Sequence, residues 1–120
     1  MKTNFQNKLR LPTIDEFEEV LHPNKDSIPN FKNYSFYWSS SENYYNYAWF
    51  FVFSSGRAYS YGIKDYALRV RAVRDVSSDS TNSINSIIIG NLEVQNEDLG
   101  SMNYFDAVDA VEKLNNNKKH

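Results

Sequence analysis

Strict alternation of side chains dominates the stretch 37–74 and predicts the sheet around which the rest of the chain packs. A first strand covers 34–39, a loop follows over 40–46, and 48–53 is the central strand. Its Ala48, Phe50 and Val52 fall on one face, with Trp49, Phe51 and Phe53 on the other. Both faces are apolar, so the strand is either buried on two sides or shows one sticky surface. Ser54-Ser55-Gly56 has hairpin chemistry, with Gly56 suited to positive φ. Residues 57–62 return antiparallel with Tyr59 and Tyr61 on one face. Lys64-Asp65-Tyr66 turns again, and 67–76 is a long last strand, with Leu68, Val70 and Ala72 inward and Arg69 and Arg71 away. This is a meander.

Helical spacing frames the sheet. Thr13 is an N-cap, Glu16 its capping-box partner three residues on, and Ile14, Phe17, Val20 and Leu21 share one face. Pro23 disfavours helical geometry at His22, which ends the helix as its C-terminal cap. A polar loop over 24–33 is anchored by Ile28 and Phe31. Beyond the sheet, the Ser/Asn-rich run 77–86 reads as a flexible linker. Residues 87–94 resume as strand, interrupted or bent at Gly90. Asn103 then caps a second helix with an apolar stripe of Tyr104, Ala107, Val108, Val111 and Leu114. The two helices are expected near each other on one side of the sheet.

Composition narrows the class. At 120 residues the chain supports one core, so 1–120 is expected to be a single α+β domain. Thirteen basic and fifteen acidic residues give a net charge of -2, spread along the chain, which supplies no electrostatic argument for nucleic acid or an anionic membrane. No apolar run approaches the ~18 residues of a spanning helix, and 1–11 lacks the apolar core of a signal peptide, so membrane insertion is not expected. Cysteine is absent, which removes disulfides, thiolate metal sites and cysteine nucleophiles.

No catalytic constellation stands out. The histidines, His22 and His120, are not in metal-ligand spacing, and Ser39, Ser40 and Ser41 have no evident base. An enzyme is not expected, nor a cofactor. Glu42, Asn43 and Asp65 are the available oxygen ligands for calcium, but the proline-containing signature of calcium-dependent sugar sites is missing.

Arg10-Leu11-Pro12-Thr13-Ile14-Asp15-Glu16-Phe17, Tyr37-Trp38-Ser39-Ser40-Ser41-Glu42, Ala48-Trp49 before a strand with Gly56, and Val70-Arg71-Ala72-Val73-Arg74 closely resemble the Legionella collagen-like C-terminal domain family. That family is akin to the Fibrobacter major paralogous domains, and the resemblance implies a C-type-lectin-like fold: a twisted antiparallel sheet with two helices. It departs at Leu9, where the family usually has Trp. Ile89-Gly90-Asn91-Leu92-Glu93-Val94-Gln95 and Met102-Asn103-Tyr104-Phe105-Asp106-Ala107 resemble the same family's opening strand and first helix, which normally come first. Residues 1–76 then match its C-terminal part, 77–86 a linker, and 87–120 its N-terminal part. Circular permutation, a boundary in a repeat array and strand exchange with a second subunit all fit this order.

Tyr, Ser and Asn are abundant, a composition used by adaptable binding surfaces. Trp38 and Trp49 are expected in the core. Tyr44, Tyr45, Asn46, Tyr47, Arg57, Tyr59, Tyr61, Lys64 and Tyr66 are the expected ligand-binding residues, because clustered exposed tyrosine beside amide and basic groups suits stacking on sugars or gripping a protein. The segment 43–66 also resembles, loosely, the variable region of lectin-like proteins diversified by retroelements. The reading is a non-enzymatic domain for a glycan or protein ligand, displayed extracellularly on a larger bacterial or phage surface protein. A structural or homo-oligomerisation module is its rival. Arg69, Arg71 and Arg74 are expected to pair structurally with Glu42, Asp75 or helix acids, the functional alternative being an anion patch for sulfated glycans.

Overall fold

The computed structural model describes residues 8–31, 35–76 and 85–117. Tyr34, residues 77–84 of the expected linker, and His120 lie outside the described residues. The fold is α+β, with eight strands in two sheets and two main helical segments among those residues. No helix among them is long and apolar enough to cross a membrane.

The first helical segment starts as its sequence dictates. Thr13 Oγ1 accepts from the Glu16 N–H at 3.1 Å, and Glu16 Oε1 accepts from the Thr13 N–H at 2.9 Å. Arg10 closes on both Glu16 oxygens at 2.8 Å and reaches Asp75 at 2.8 Å, tying the turn to the distant strand that holds Asp75. Burial alone would raise the Glu16 carboxyl, but the Arg10 guanidinium and the Thr13 hydrogen bonds together hold it below its ordinary value. After α1 (Ile14–Glu16) the helix widens into a π turn, Phe17–Leu21, closed by the His22 N–H on the Phe17 carbonyl at 2.8 Å. The wider turn buries Phe17 and Leu21 completely. His22 caps this end, and its ring lies within hydrogen-bond distance of the Phe53 carbonyl, 3.1 Å.

β1 (Phe36–Glu42), β2 (Tyr47–Val52) and β3 (Arg57–Ile63) form the expected antiparallel hairpins. The meander stops there. β4 (Leu68–Arg69) lies on the far side of β1, parallel to it through Tyr37 and Arg69, so the sheet is mixed. The connection 64–67 therefore traverses one sheet face, held by the Lys64 N–H on the Asn46 carbonyl and by the Tyr104 N–H on the Lys64 carbonyl.

The expected long strand 67–76 is two strands that serve different sheets. β4 joins the five-stranded sheet, order β3-β2-β1-β4-β8, while β5 (Val73–Asp75) joins a three-stranded one, order β5-β7-β6. The expected strand 87–94, interrupted or bent at Gly90, is likewise a hairpin, β6 (Ser86–Ile89) and β7 (Leu92–Gln95). Gly90 at φ +61 opens its two-residue turn, the position where that hairpin type demands glycine. Val94 of β7 pairs with Val73 within the same chain. Past β7, Asn96 to Asp98 loop out before the chain rejoins through Leu99, Gly100 and β8 (Ser101–Met102).

The helices do not share a side. Successive strand residues point to opposite faces, and Trp38 with Ala48 packs against Tyr104, Ala107 and Val111 of α2 (Tyr104–Asn117), while Tyr37 with Phe51 packs against Phe17 and Leu21. The sheet is thus sandwiched between them, each face apolar enough to need its own cover. Arg71, expected to point away, is fully buried: the cover on its face encloses it, with Phe31 4.3 Å from the guanidinium and the Pro29 and Gln95 carbonyls accepting from Nη1.

Candidate ligand-binding cleft

α2 roofs only part of its sheet face. Its Tyr104 ring meets Trp38 edge-on at 5.3 Å, and the rest of that face stays open. Cross-strand register sets a row of rings there. Phe36 stacks on Phe50 at 5.4 Å and Phe50 on Tyr59 at 5.4 Å, one ring from each of three neighbouring strands. Between Ala48 and Phe50 the register slips by one residue in β3, the bulge that carries Tyr61. Tyr59 and Tyr61 meet edge-on at 6.4 Å.

These rings, with Val52, Leu68, the Ser54-Ser55 turn, and Tyr66 and Ala67 of the traversing connection, line a cleft of about 780 Å³. Tyr61 is 62% exposed, Tyr66 56% and Phe36 43%. Gly62 shapes the floor: a Cβ there would stand 2.6 Å from Phe50 Cδ1 and 3.1 Å from Trp38 Cζ3, so the rings lie directly on bare backbone.

Of the residues expected to bind, Tyr59, Tyr61 and Tyr66 come together in this cleft. Tyr44, Tyr45 and Asn46 sit instead in the β1–β2 turn, with Tyr47 half-buried at the start of β2, and none of the four lines the cleft. Tyr44 and Tyr45 are 78% and 86% exposed, and Tyr44 has φ +67, an uncommon conformation for a bulky side chain. Arg57 is exposed at the start of β3 and is also outside the lining.

Lys64 is a correction. It is 4% exposed, with Nζ 2.6 Å from Glu42 Oε1 and 5.0 Å from the centre of the Tyr104 ring. The traversing connection tucks its ammonium under the start of α2, where a carboxylate and two aromatic faces replace water. Burial, with Glu42 adding, pushes the Tyr104 phenol up to about 12. The cleft residues Phe36, Phe50, Val52 and Leu68 were not among the expected ones; for Phe50 and Val52 the sequence signal was the apolar character of both faces of the central strand.

Trp38 is fully buried as expected, and Trp49 is half-buried. The arginines are engaged, with different partners from those expected. Arg69 and Arg71 reach Asp98 at 3.2 and 2.7 Å, and Arg74 reaches Glu93 at 2.9 Å. Asp98 also accepts from the Tyr37 hydroxyl at 2.8 Å. Among the candidate calcium ligands, Glu42 is committed to Lys64, and the Asn43 amide donates to the Ser60 carbonyl at 2.8 Å. No grouping of three or more His, Asp or Glu side chains that could hold a metal occurs among the described residues. No family model, curated protein or solved structure matches the chain.

Proposed function

We propose that the protein is a non-enzymatic recognition module that seats a glycan or protein ligand in the aromatic cleft. The observation that carries this reading is the unroofed row of Phe36, Phe50, Tyr59, Tyr61 and Tyr66 on a sheet face whose other half is covered by α2. A contiguous exposed aromatic surface is unfavourable in water and is retained on monomers chiefly where a partner covers it. Display on a larger bacterial or phage surface protein is part of the same proposal, as the sequence resemblance implies.

The test is a glycan and protein array probed with wild type and with the Tyr61→Ala/Tyr66→Ala variant. Both side chains are more than half exposed, so folding stability should stay within roughly 1 kcal/mol. Ligand binding should weaken by ~2 kcal/mol or more, as for aromatic anchors at interfaces. Unchanged binding, or binding that merely tracks the folded fraction, would place recognition elsewhere.

The finer fold reading, a permuted C-type-lectin-like domain, is also a proposal. It is supported by the family-like motifs and by the meeting of α2 with the segment before the first helix: Asn115 accepts from the Leu9 N–H at 2.9 Å and donates to the Leu9 carbonyl at 3.0 Å. The flanking position of the helices differs from what the resemblance led us to expect. A chain relinked from 117 to 8 and opened within 77–84 should reach the same near-ultraviolet dichroism and a similar urea midpoint. Failure to fold would remove the permutation and favour exchange or a repeat boundary.

A further inference from the structure

We infer that the occupant of the cleft is a set of uncharged apolar side chains presented by a partner protein, an inference that rests on the recognition reading above. No residue lining the cleft carries a charge, and Lys64 of the traversing connection is paired with Glu42. Arg57 and Asp65 are exposed but stand outside the lining. An anionic ligand, a sulfated glycan included, therefore meets no free cation in the cleft, and a cationic one meets no carboxylate. Either would shed hydration without a counter-ion, which is costly. Charge matching thus selects a neutral occupant.

Hydrogen-bonding capacity separates a neutral sugar from an apolar side chain. The side-chain polar groups in the lining are hydroxyls only, those of Ser54, Ser55, Tyr59, Tyr61 and Tyr66. Amide, carboxylate and guanidinium groups, the planar partners that grip polar ligands two atoms at a time, are missing from the lining. A sugar hydroxyl brought down onto Phe36, Phe50 and Leu68 leaves water for no partner and is penalised. A Leu, Ile, Met or Phe side chain has nothing to leave unsatisfied there and gains in proportion to the area it buries. The partner's backbone then lies over the hydroxyl rim, open to water. Such an aromatic-walled pocket with a hydroxyl rim matches the usual anatomy of a protein interface, an apolar centre with polar surroundings.

The experiment is selection of a displayed random-peptide library on the full chain, with counter-selection on a Tyr61→Ser/Tyr66→Ser variant. Enriched peptides are then synthesised and titrated, beside neutral and sulfated oligosaccharides, against both proteins. The expected winners share two or more apolar anchors with no charge at those positions, and the variant binds them about tenfold or more weakly while melting at the same temperature. Replacing one anchor by Glu in the peptide should abolish binding. Winners that depend on a charged residue, or that ignore the variant, overturn the inference. A neutral or sulfated oligosaccharide that outbinds the peptides also overturns it but leaves the recognition reading standing, whereas silence from both ligand classes removes both. A concentration-dependent dimer that the variant loses would give the cleft to a second copy, again overturning the inference.

Discussion

Asp98→Ala is expected to destabilise the domain by about 3–5 kcal/mol, because it strips the counter-ion from a buried cation. Arg71 is fully buried, its Nε donates to Asp98 Oδ1 at 2.7 Å, and Asp98 also collects Arg69 and the Tyr37 hydroxyl. Among the described residues Asp98 is the carboxylate that pairs with Arg71: its other acceptors are the Pro29 and Gln95 carbonyls, and Nη2 has no hydrogen-bond partner. Domains of this size have only ~5–15 kcal/mol to lose, so the urea midpoint should fall steeply or the variant should fail to fold. Arg69→Ala removes a half-exposed partner from the same carboxylate and should cost ~1 kcal/mol, in the range of partly solvated pairs. A loss below ~1 kcal/mol for Asp98→Ala would show that Asp98 is not the counter-ion on which burial of Arg71 depends.

Trp38→Ala should cost a comparable ~3–5 kcal/mol, for a different reason: it opens a cavity. The ring is fully buried between the sheet and α2, edge-on to Tyr104, and Nε1–H donates to the Met102 carbonyl at 2.9 Å. Trp38→Phe keeps most of the apolar contact but loses the indole N–H bond to a carbonyl that stays paired with Leu68 in the β4–β8 ladder, for which ~1 kcal/mol is the expected cost. Urea unfolding of the pair separates packing from hydrogen bonding. Equal losses for Ala and Phe would mean that the indole N–H, not the ring volume, holds α2 in place. Because Trp38 also underlies Gly62, Trp38→Ala should disturb the cleft floor, so binding should be measured on Trp38→Phe.

Local chemistry was legible wherever neighbours in sequence are neighbours in space. The Thr13–Glu16 capping box, the helix end at His22 and the hairpin at Gly56 at φ +70 follow from spacing alone. Gly90 was read as an interruption or bend because one glycine fits a bulge and a two-residue turn equally well, and only the pairing of Ile89 with Leu92 distinguishes them.

Other features depend on pairings that alternation cannot express. The same apolar–polar pattern in 67–76 suits one strand or two, and β4 parts from β5 only because β1 with β8 takes one half and β7 the other. Arg71 looked solvent-facing because it alternates with apolar residues, yet its face is also covered, and Asp98, 27 residues away, supplies the charge that permits burial. Lys64 was taken for a binding group because it sits in a polar turn beside the clustered tyrosines, yet it is buried against Glu42 and Tyr104. The sequence by itself determined the caps, the turn at Gly56 and the aromatic supply, all set by interactions a few residues long. Only the tertiary structure decided which sheet face each helix covers, and hence which aromatics are core and which line an open cleft, because burial is a property of what packs on top and not of the strand beneath.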